Sequence, residues 1–274
     1  MAVYDSGTYG ARRQIDHTHT QKRTQIMNPI KSLIHGTMSR FGYQIDRIPP
    51  PEDHAEYQKV RPGATYNPWN TDRKFKEIYT AIRGFTLVDR YRCYELWKLV
   101  EQSAKLAEGG VIEIGVWRGG TGALIARQAH DCGITEKVYL CDTFTGVVKA
   151  GEKDSYYSGG EHSDTSQELV ENLVFKTMGL DNVRILKGIF PDDTGHEVEE
   201  QTFRFCHIDV DSYQSAHDII EWIWERMASG GIIVYDDYGF FGCDGITRHV
   251  DEQMSAPDRI ILHNLNGHAI IIKR

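Results

Sequence analysis

Five apolar runs of strand length, at residues 111–116, 137–143, 183–189, 203–210 and 231–236, alternate with helical stretches near 120–131, 166–178 and 213–228. This alternation constrains the fold more than any other feature, because it demands parallel strands joined by right-handed crossovers. Within 213–228, Ala216, Ile219, Ile220, Ile223 and Met227 form one apolar face. The helix at 166 is expected to open on a capping box, Thr165-x-x-Glu168. The end of the chain breaks the alternation. "RIILHNLNGHAIIIKR" reads as two strands around Asn266-Gly267, a strong hairpin signal, so the last strand should return antiparallel into the sheet. The five strands and this hairpin make an α/β fold with a mostly parallel seven-stranded sheet and an antiparallel last strand.

The earlier part of the chain divides in two. From about residue 70, Phe75, Ile78, Tyr79 and Ile82 fit one helical face, and Thr86 is expected to cap a long helix running to about Ala107, ended by Gly109-Gly110. Before that, "DSGTYGARRQIDHTHTQKRTQ" is polar and aperiodic and reads as an arm, with His17 and His19 solvated rather than metal-bound. A helix is expected near Asn28, with Ile30, Leu33, Ile34, Met38 and Phe41 on one face, before "RIPPPEDH" breaks regular structure. Such a stripe needs a partner, and the expectation is a homodimer or higher homo-oligomer formed through this arm. The reading is therefore an arm and helical extension over 1–70 and a main domain over 71–274.

Composition excludes several classes. A net charge of −8 over 274 residues argues against a nucleic-acid surface. No run approaches the roughly 18 apolar residues that cross a bilayer, and no secretory leader is expected. Cys93, Cys132, Cys141, Cys206 and Cys243 are scattered without a CxxC pair, which suits reduced thiols in a cytoplasmic protein and not a zinc site.

Ligands of open α/β sheets bind at the carboxyl ends of the strands. There the first strand runs into "VIEIGVWRGGTG", with glycines at 115, 119, 120 and 122. Glycines remove Cβ atoms that keep a ligand off the backbone, and the helix N-terminus behind them suits a carboxylate. The spacing is not GxGxxG, and Glu113 would repel a pyrophosphate. An acid beside a glycine turn suits the ammonium and sulfonium of S-adenosylmethionine (SAM). Asp142 ends the second strand, where a carboxylate takes ribose hydroxyls, with Phe144 placed to pack on the ligand. Two acid pairs close the fourth and fifth strands, Asp209 with Asp211 and Asp236 with Asp237. Carboxylates that close repel unless a cation sits among them, and oxygen ligands favour Mg²⁺, with Mn²⁺ or Ca²⁺ possible.

Together "EIGVWRGGTG", "CDTFTG", "HIDVDSYQSA" and "GGIIVYDDYG", followed by "GC" and "VDE", resemble the macrocin O-methyltransferase family, enzymes that methylate sugar hydroxyls on macrolide and aminocoumarin antibiotics. The resemblance spans about residues 85–255 and implies a Rossmann-like class I SAM-dependent methyltransferase fold. It implies a divalent metal on Asp209, Asp236 and Asp237, with Asp211 as general base or substrate contact and His207 as a second choice of base. Donor contacts are expected from Glu113, Gly115, Val116, Trp117, Gly119 and Thr121 on the glycine turn. Further contacts are expected from Asp142, Thr143 and Phe144, from Gly188, Ile189 and Phe190 in "KGIF", and from Asp209. The chain departs from the family in its long arm and in Asp244, where a basic residue is expected.

The expected chemistry is methyl transfer to a hydroxyl of a sugar-containing small molecule; a catechol or other small phenol is the alternative acceptor. Metal coordination acidifies the hydroxyl, a carboxylate takes its proton, and alignment with the donor supplies much of the acceleration. Residues 146–165, "GVVKAGEKDSYYSGGEHSDT", read as a lid over the donor.

Overall fold

A computed structural model describes Val60 and residues 63–274. The arm, His17, His19 and the helix expected at Asn28 lie outside the described residues. Helices are α1 (Arg73–Ile82), α2 (Arg90–Ser103), α3 (Gly120–Asp131), α4 (Gln167–Glu171), α5 (Tyr213–Ile223) and α6 (Asp244–Asp251). Strands are β1 (Gly110–Ile114), β2 (Val138–Asp142), β3 (Val183–Lys187), β4 (Phe203–Ile208), β5 (Met227–Tyr235), β6 (Arg259–Asn264) and β7 (His268–Lys273). They form one sheet in the order β3-β2-β1-β4-β5-β7-β6. Strand β7 pairs antiparallel with both β5 and β6, and every other pairing is parallel, as the hairpin at Asn266-Gly267 leads one to expect. Among the described residues no helix is long and apolar enough to cross a membrane.

Alternation along the strands divides the interior into two cores. Val111, Phe205, Val234 and Ile270 face α1, α2 and α3, where Phe75, Leu96 and Leu124 pack against them. Ile112, Cys206, Ile233 and Ile271 face α5 and α6. Strand β1 is buried at all five positions, so its Glu113 follows Val111 onto the α1–α3 side without reaching solvent. The same period puts His207 two residues beyond Phe205, Asp236 two beyond Val234, and His268 two before Ile270. A polar row thus crosses four strands on one face of the sheet near the ligand edge.

Local corrections follow from competing caps. Helix α2 starts at Arg90 rather than near Thr86, because Asp89 accepts the amides of Tyr91 and Arg92, while Thr86 accepts only that of Val88. It ends at Ser103, whose hydroxyl turns back to the Val100 carbonyl. Ser166, not Thr165, caps α4 through the Leu169 amide; the Thr165 hydroxyl bonds the Trp117 carbonyl instead. Helix α4 then continues as a π-helical turn over Asn172–Thr177. Met227 leaves the expected helix and opens β5, which starts earlier than residue 231.

The glycine turn is dictated mainly by the chain's own packing. A Cβ on Gly115 (φ +87°) would lie 1.7 Å from the Asp209 carbonyl oxygen. One on Gly120 would lie 2.6 Å from the Phe85 carbonyl oxygen, and one on Gly122 2.7 Å from a Glu113 carboxylate oxygen. The approach these glycines permit is of β1 to β4 and of α3 to the sheet. Gly115→Ala should therefore destabilise the fold by at least ~1–2 kcal/mol from the left-handed backbone alone, before the clash with Asp209 is counted. Urea unfolding measures this, and a variant as stable as the parent would contradict the close approach.

Candidate active site

A cavity of about 200 Å³ opens at the carboxyl ends of β1, β2, β4 and β5. Four residues just past those ends, Trp117, Phe144, Asp211 and Asp237, hold left-handed backbone at φ 46°, 57°, 61° and 62°. Non-glycine residues there are strained, and strain of this kind gathers at functional sites. The part of the cavity past β1, β2 and β3 is lined by Gly115, Val116, Trp117, Thr121, Asp142, Thr143, Gly188, Ile189 and Phe190. Asp142 anchors this part, accepting the amides of Val116 and Trp117 at 2.7 and 2.8 Å on one oxygen and that of Phe144 at 2.6 Å on the other. Three amides occupy most of a carboxylate's roughly four acceptor positions. Asp142 is thus a turn anchor facing the cavity, with little capacity left for further donors.

The part past β4 and β5 holds Asp209, Asp211, Asp236 and Asp237. Oxygens of Asp209, Asp236 and Asp237 lie within 4.8 Å of one another. Asp236 is buried and engaged on both oxygens: Arg92 holds one, and His268 Nε2 stands 2.7 Å from the other. Burial would raise its pKa, but the facing His207 and His268 imidazoles and the Arg92 guanidinium outweigh that and keep it below the ordinary carboxylate range. Asp209 and Asp237 go the other way. Burial and the neighbouring carboxylates push both well above the ordinary range, and Arg92, 3.6 Å from Asp237, offsets this only in part. Arg92 and the two imidazoles thus support the ionised form of Asp236, while Asp209 and Asp237 lack a cation that would keep them ionised.

Several expected contacts lie elsewhere. Glu113 and His207 are both fully buried and do not line the cavity. They are cross-strand neighbours in the β1–β4 register, joined from Glu113 Oε1 to His207 Nδ1 at 2.9 Å. The other Glu113 oxygen and His207 Nε2 have no hydrogen-bond partner, although Nε2 stands 3.8 Å from Asp236. Desolvation lowers the His207 pKa, but the carboxylates of Asp236 and Glu113 raise it to about 9. A buried imidazolium has no free lone pair, so His207 is a poor general base. Gly119 packs under Val170, and Phe144 joins the α1–α3 core; neither lines the cavity.

Residues 146–165 form part of the cavity wall through Gly146, Val147, Val148, Tyr157 and His162. The segment is fastened at both ends. Ser212 and Ser215 hold the Val148 carbonyl at 2.8 and 3.0 Å, and Asp164 accepts Trp117 Nε1 at 2.8 Å and Arg118 Nη2 at 2.6 Å. Asp244 is used here, accepting the Ser155 amide and hydroxyl at 3.2 and 2.5 Å. A basic residue could not accept those bonds. The Tyr157 hydroxyl stands beside Asp211, and burial followed by that carboxylate raises its pKa.

Arg92, His268, Glu95 and Tyr157 escaped the sequence reading. Arg92 had a legible signal: it shares the buried stripe of α2 with Leu96 and Val100, and an arginine on an apolar stripe requires a carboxylate partner. His268 likewise opens an apolar strand on its inward side. Their partners follow only from the sheet order.

The raised pKa of His207 has a consequence for stability. The imidazolium's contribution is fully present below about pH 6.5, its unfolded value, and is lost as pH rises through about 9. The metal-free protein should lose on the order of 3 kcal/mol across that interval, and His207→Gln should flatten the slope. Urea unfolding at several pH values in chelator measures it; a stability that rises with pH would exclude a buried imidazolium.

A family model for macrocin-O-methyltransferase (TylF) matches residues 55–261. The mycinamicin III 3''-O-methyltransferase of Micromonospora griseorubida is 28% identical over 206 residues, covering 69% of this chain and 78% of that protein. A tetracenomycin-C 4'-O-methyltransferase of Streptomyces olivaceus, acting on the 8-demethyl-8-(2,3-dimethoxy-alpha-L-rhamnosyl) compound, is 30% identical over 144 residues, covering 49% of this chain. The match spans only 55% of that relative's length. The structure of the O-methyltransferase NovP shares the fold with a TM-score of 0.58 at 24% identity, covering 69% of this chain and 82% of that one. CalS11, a calicheamicin methyltransferase, does so with a TM-score of 0.56 at 12% identity, covering 78% of this chain and 99% of that one. With the family model spanning well over half of its length, the chain belongs to the macrocin-O-methyltransferase family.

Proposed function

We propose that this chain is a SAM-dependent, Mg²⁺-dependent O-methyltransferase acting on a hydroxyl of a sugar carried by a small molecule. The observation that carries the reading is one cavity lined past β1–β3 by a carboxylate-anchored glycine turn and past β4 and β5 by a cluster of acids, two of which lack a cation to keep them ionised. Membership of the family and the sugar-directed names of two relatives support the acceptor class.

The donor set fits a hard divalent cation. The candidate ligand atoms of Asp209, Asp236 and Asp237 are carboxylate oxygens, and Asp209 and Asp237 are held towards the protonated form until a cation is there to favour their ionisation. Asp209, Asp237 and the remaining acceptor positions of Asp236 would hold it. A bound Mg²⁺ lowers the pKa of a coordinated hydroxyl, and SAM supplies a methyl group on a sulfonium. Asp211, on the cavity wall with the Tyr157 hydroxyl beside it, would take the hydroxyl proton. Val116, Trp117 and the Gly188–Phe190 segment shape the donor part, and residues 146–165 shield the cavity from water.

Two outcomes test this. Calorimetry should show S-adenosylhomocysteine binding and no NAD binding, with Asp142→Ala weakening it by roughly 1.5–3 kcal/mol as the turn loses its anchor. Binding of NAD in preference to S-adenosylhomocysteine would end the donor reading. In a labelled-methyl screen of glycosides and catechols, EDTA should abolish turnover and Mg²⁺ restore it. Asp209→Asn and Asp237→Asn should lose activity by orders of magnitude through metal binding, whereas Asp211→Asn should keep the metal and slow the chemical step. Full turnover in EDTA, or catechols outrunning every glycoside, would refute the metal or the acceptor class respectively.

A further inference from the structure

We infer that α2 and β7 form a brace that sets the direction of the Asp236 carboxylate, with Glu95 acting through His268 on one oxygen and Arg92 on the other. The inference rests on the cation reading of the acid cluster. His268 Nδ1 stands 2.6 Å from Glu95 Oε2, and its Nε2 stands 2.7 Å from Asp236 Oδ1. Glu95, on α2, is therefore linked to the cluster through one imidazole ring. Its side chain is 23% exposed, whereas those of His268 and Asp236 are 0% and 3% exposed. One turn earlier on the same helix, Arg92 bonds Asp236 Oδ2.

The two elements are also tied at a second point. Asp89, the N-cap of α2, accepts Asn266 Nδ2 at 3.1 and 3.2 Å and Arg92 Nε at 2.9 Å. Asn266 lies in the turn before β7, so the hairpin fixes the helix cap, the cap fixes Arg92, and the strand's first residue fixes the other oxygen. A carboxylate gripped on both oxygens cannot rotate, and its remaining acceptor positions keep one direction. Glu95 keeps the imidazole ring in the orientation that serves Asp236, as carboxylates do for imidazoles beside metal centres. Glu95 and His268 are thus positioning residues, separated from the reacting atoms by Asp236.

The test uses the full chain and Mn²⁺ binding followed by electron paramagnetic resonance, with S-adenosylhomocysteine affinity measured in parallel. Glu95→Gln keeps the shape and removes the charge. It should weaken Mn²⁺ about 10–100-fold and leave S-adenosylhomocysteine affinity within about twofold. Turnover should recover at saturating Mg²⁺, which a generally damaged fold would not do. His268→Gln should weaken Mn²⁺ at least as far, and adding Glu95→Gln to it should cost little more, since Glu95 acts through that ring. If His268→Gln fails to fold, Glu95→Gln decides alone. A folded Glu95→Gln variant that binds Mn²⁺ like the parent overturns the brace while leaving the cation reading intact. A parent that binds no Mn²⁺ or Mg²⁺ overturns both.

Discussion

Excess negative charge at the carboxyl edge of the sheet is the constraint around which the described structure is arranged. Glu113, Asp209, Asp211, Asp236 and Asp237 come from the ends of three adjacent strands. Basic side chains meet them unevenly. His207 lies between Glu113 and Asp236, His268 and Arg92 grip Asp236, and Arg92 alone reaches towards Asp237. Isolated buried charges are too costly to keep, so each such group must be paired, protonated or matched by a ligand cation. The inner acids are paired. The outer ones, facing the cavity, are left for protonation or for a cation.

That division was partly legible in the sequence. The strand-helix alternation and the Asn266-Gly267 hairpin carried the sheet, including its antiparallel β7, because hydrophobic period and turn chemistry are local properties. The acids at strand ends were found because strand ends of an open α/β sheet are the ligand edge. Helix starts were less legible, since Thr86 and Asp89, or Thr165 and Ser166, are caps of similar quality and tertiary contacts choose between them. Thr165 is drawn away by the Trp117 carbonyl, and Asp89 is favoured by the extra bonds from Arg92 and Asn266.

The glycines show where sequence reasoning assigns the right feature to the wrong cause. A cluster of four suggests a backbone open to a ligand. In the structure three of the four missing Cβ atoms would strike chain: Asp209 at Gly115, Phe85 at Gly120, and Glu113 at Gly122. Only Gly115 of the four lines the cavity. Their role is to bring β1, β4 and α3 close enough that the acids at their ends converge. Glu113 follows the same logic: an acid in a fully buried strand has only its cross-strand neighbour for company, and the β1–β4 register supplies His207. No single-strand pattern reveals that partner, because it depends on which strands are adjacent.

The arrangement also separates roles among acids that look equivalent in sequence. Asp236 and Asp237 are consecutive, yet one still bonds across to β4, its amide donating to the Ile208 carbonyl at 2.9 Å, and the other lies at φ 62°. The left-handed residue turns its carboxyl out of the β5 row that ends in Asp236 and among Asp209, Asp211 and the Cys243 side chain. Past β4, with Val210 between them, Asp209 is likewise followed by a left-handed acid, Asp211 at φ 61°. All four acids line the cavity. A cation placed among them would meet a fixed carboxylate from Asp236 and less constrained ones from Asp209 and Asp237. Rigidity on one side and adaptability on the other would suit the proposed reaction, in which an ion stays bound while an acceptor hydroxyl comes and goes.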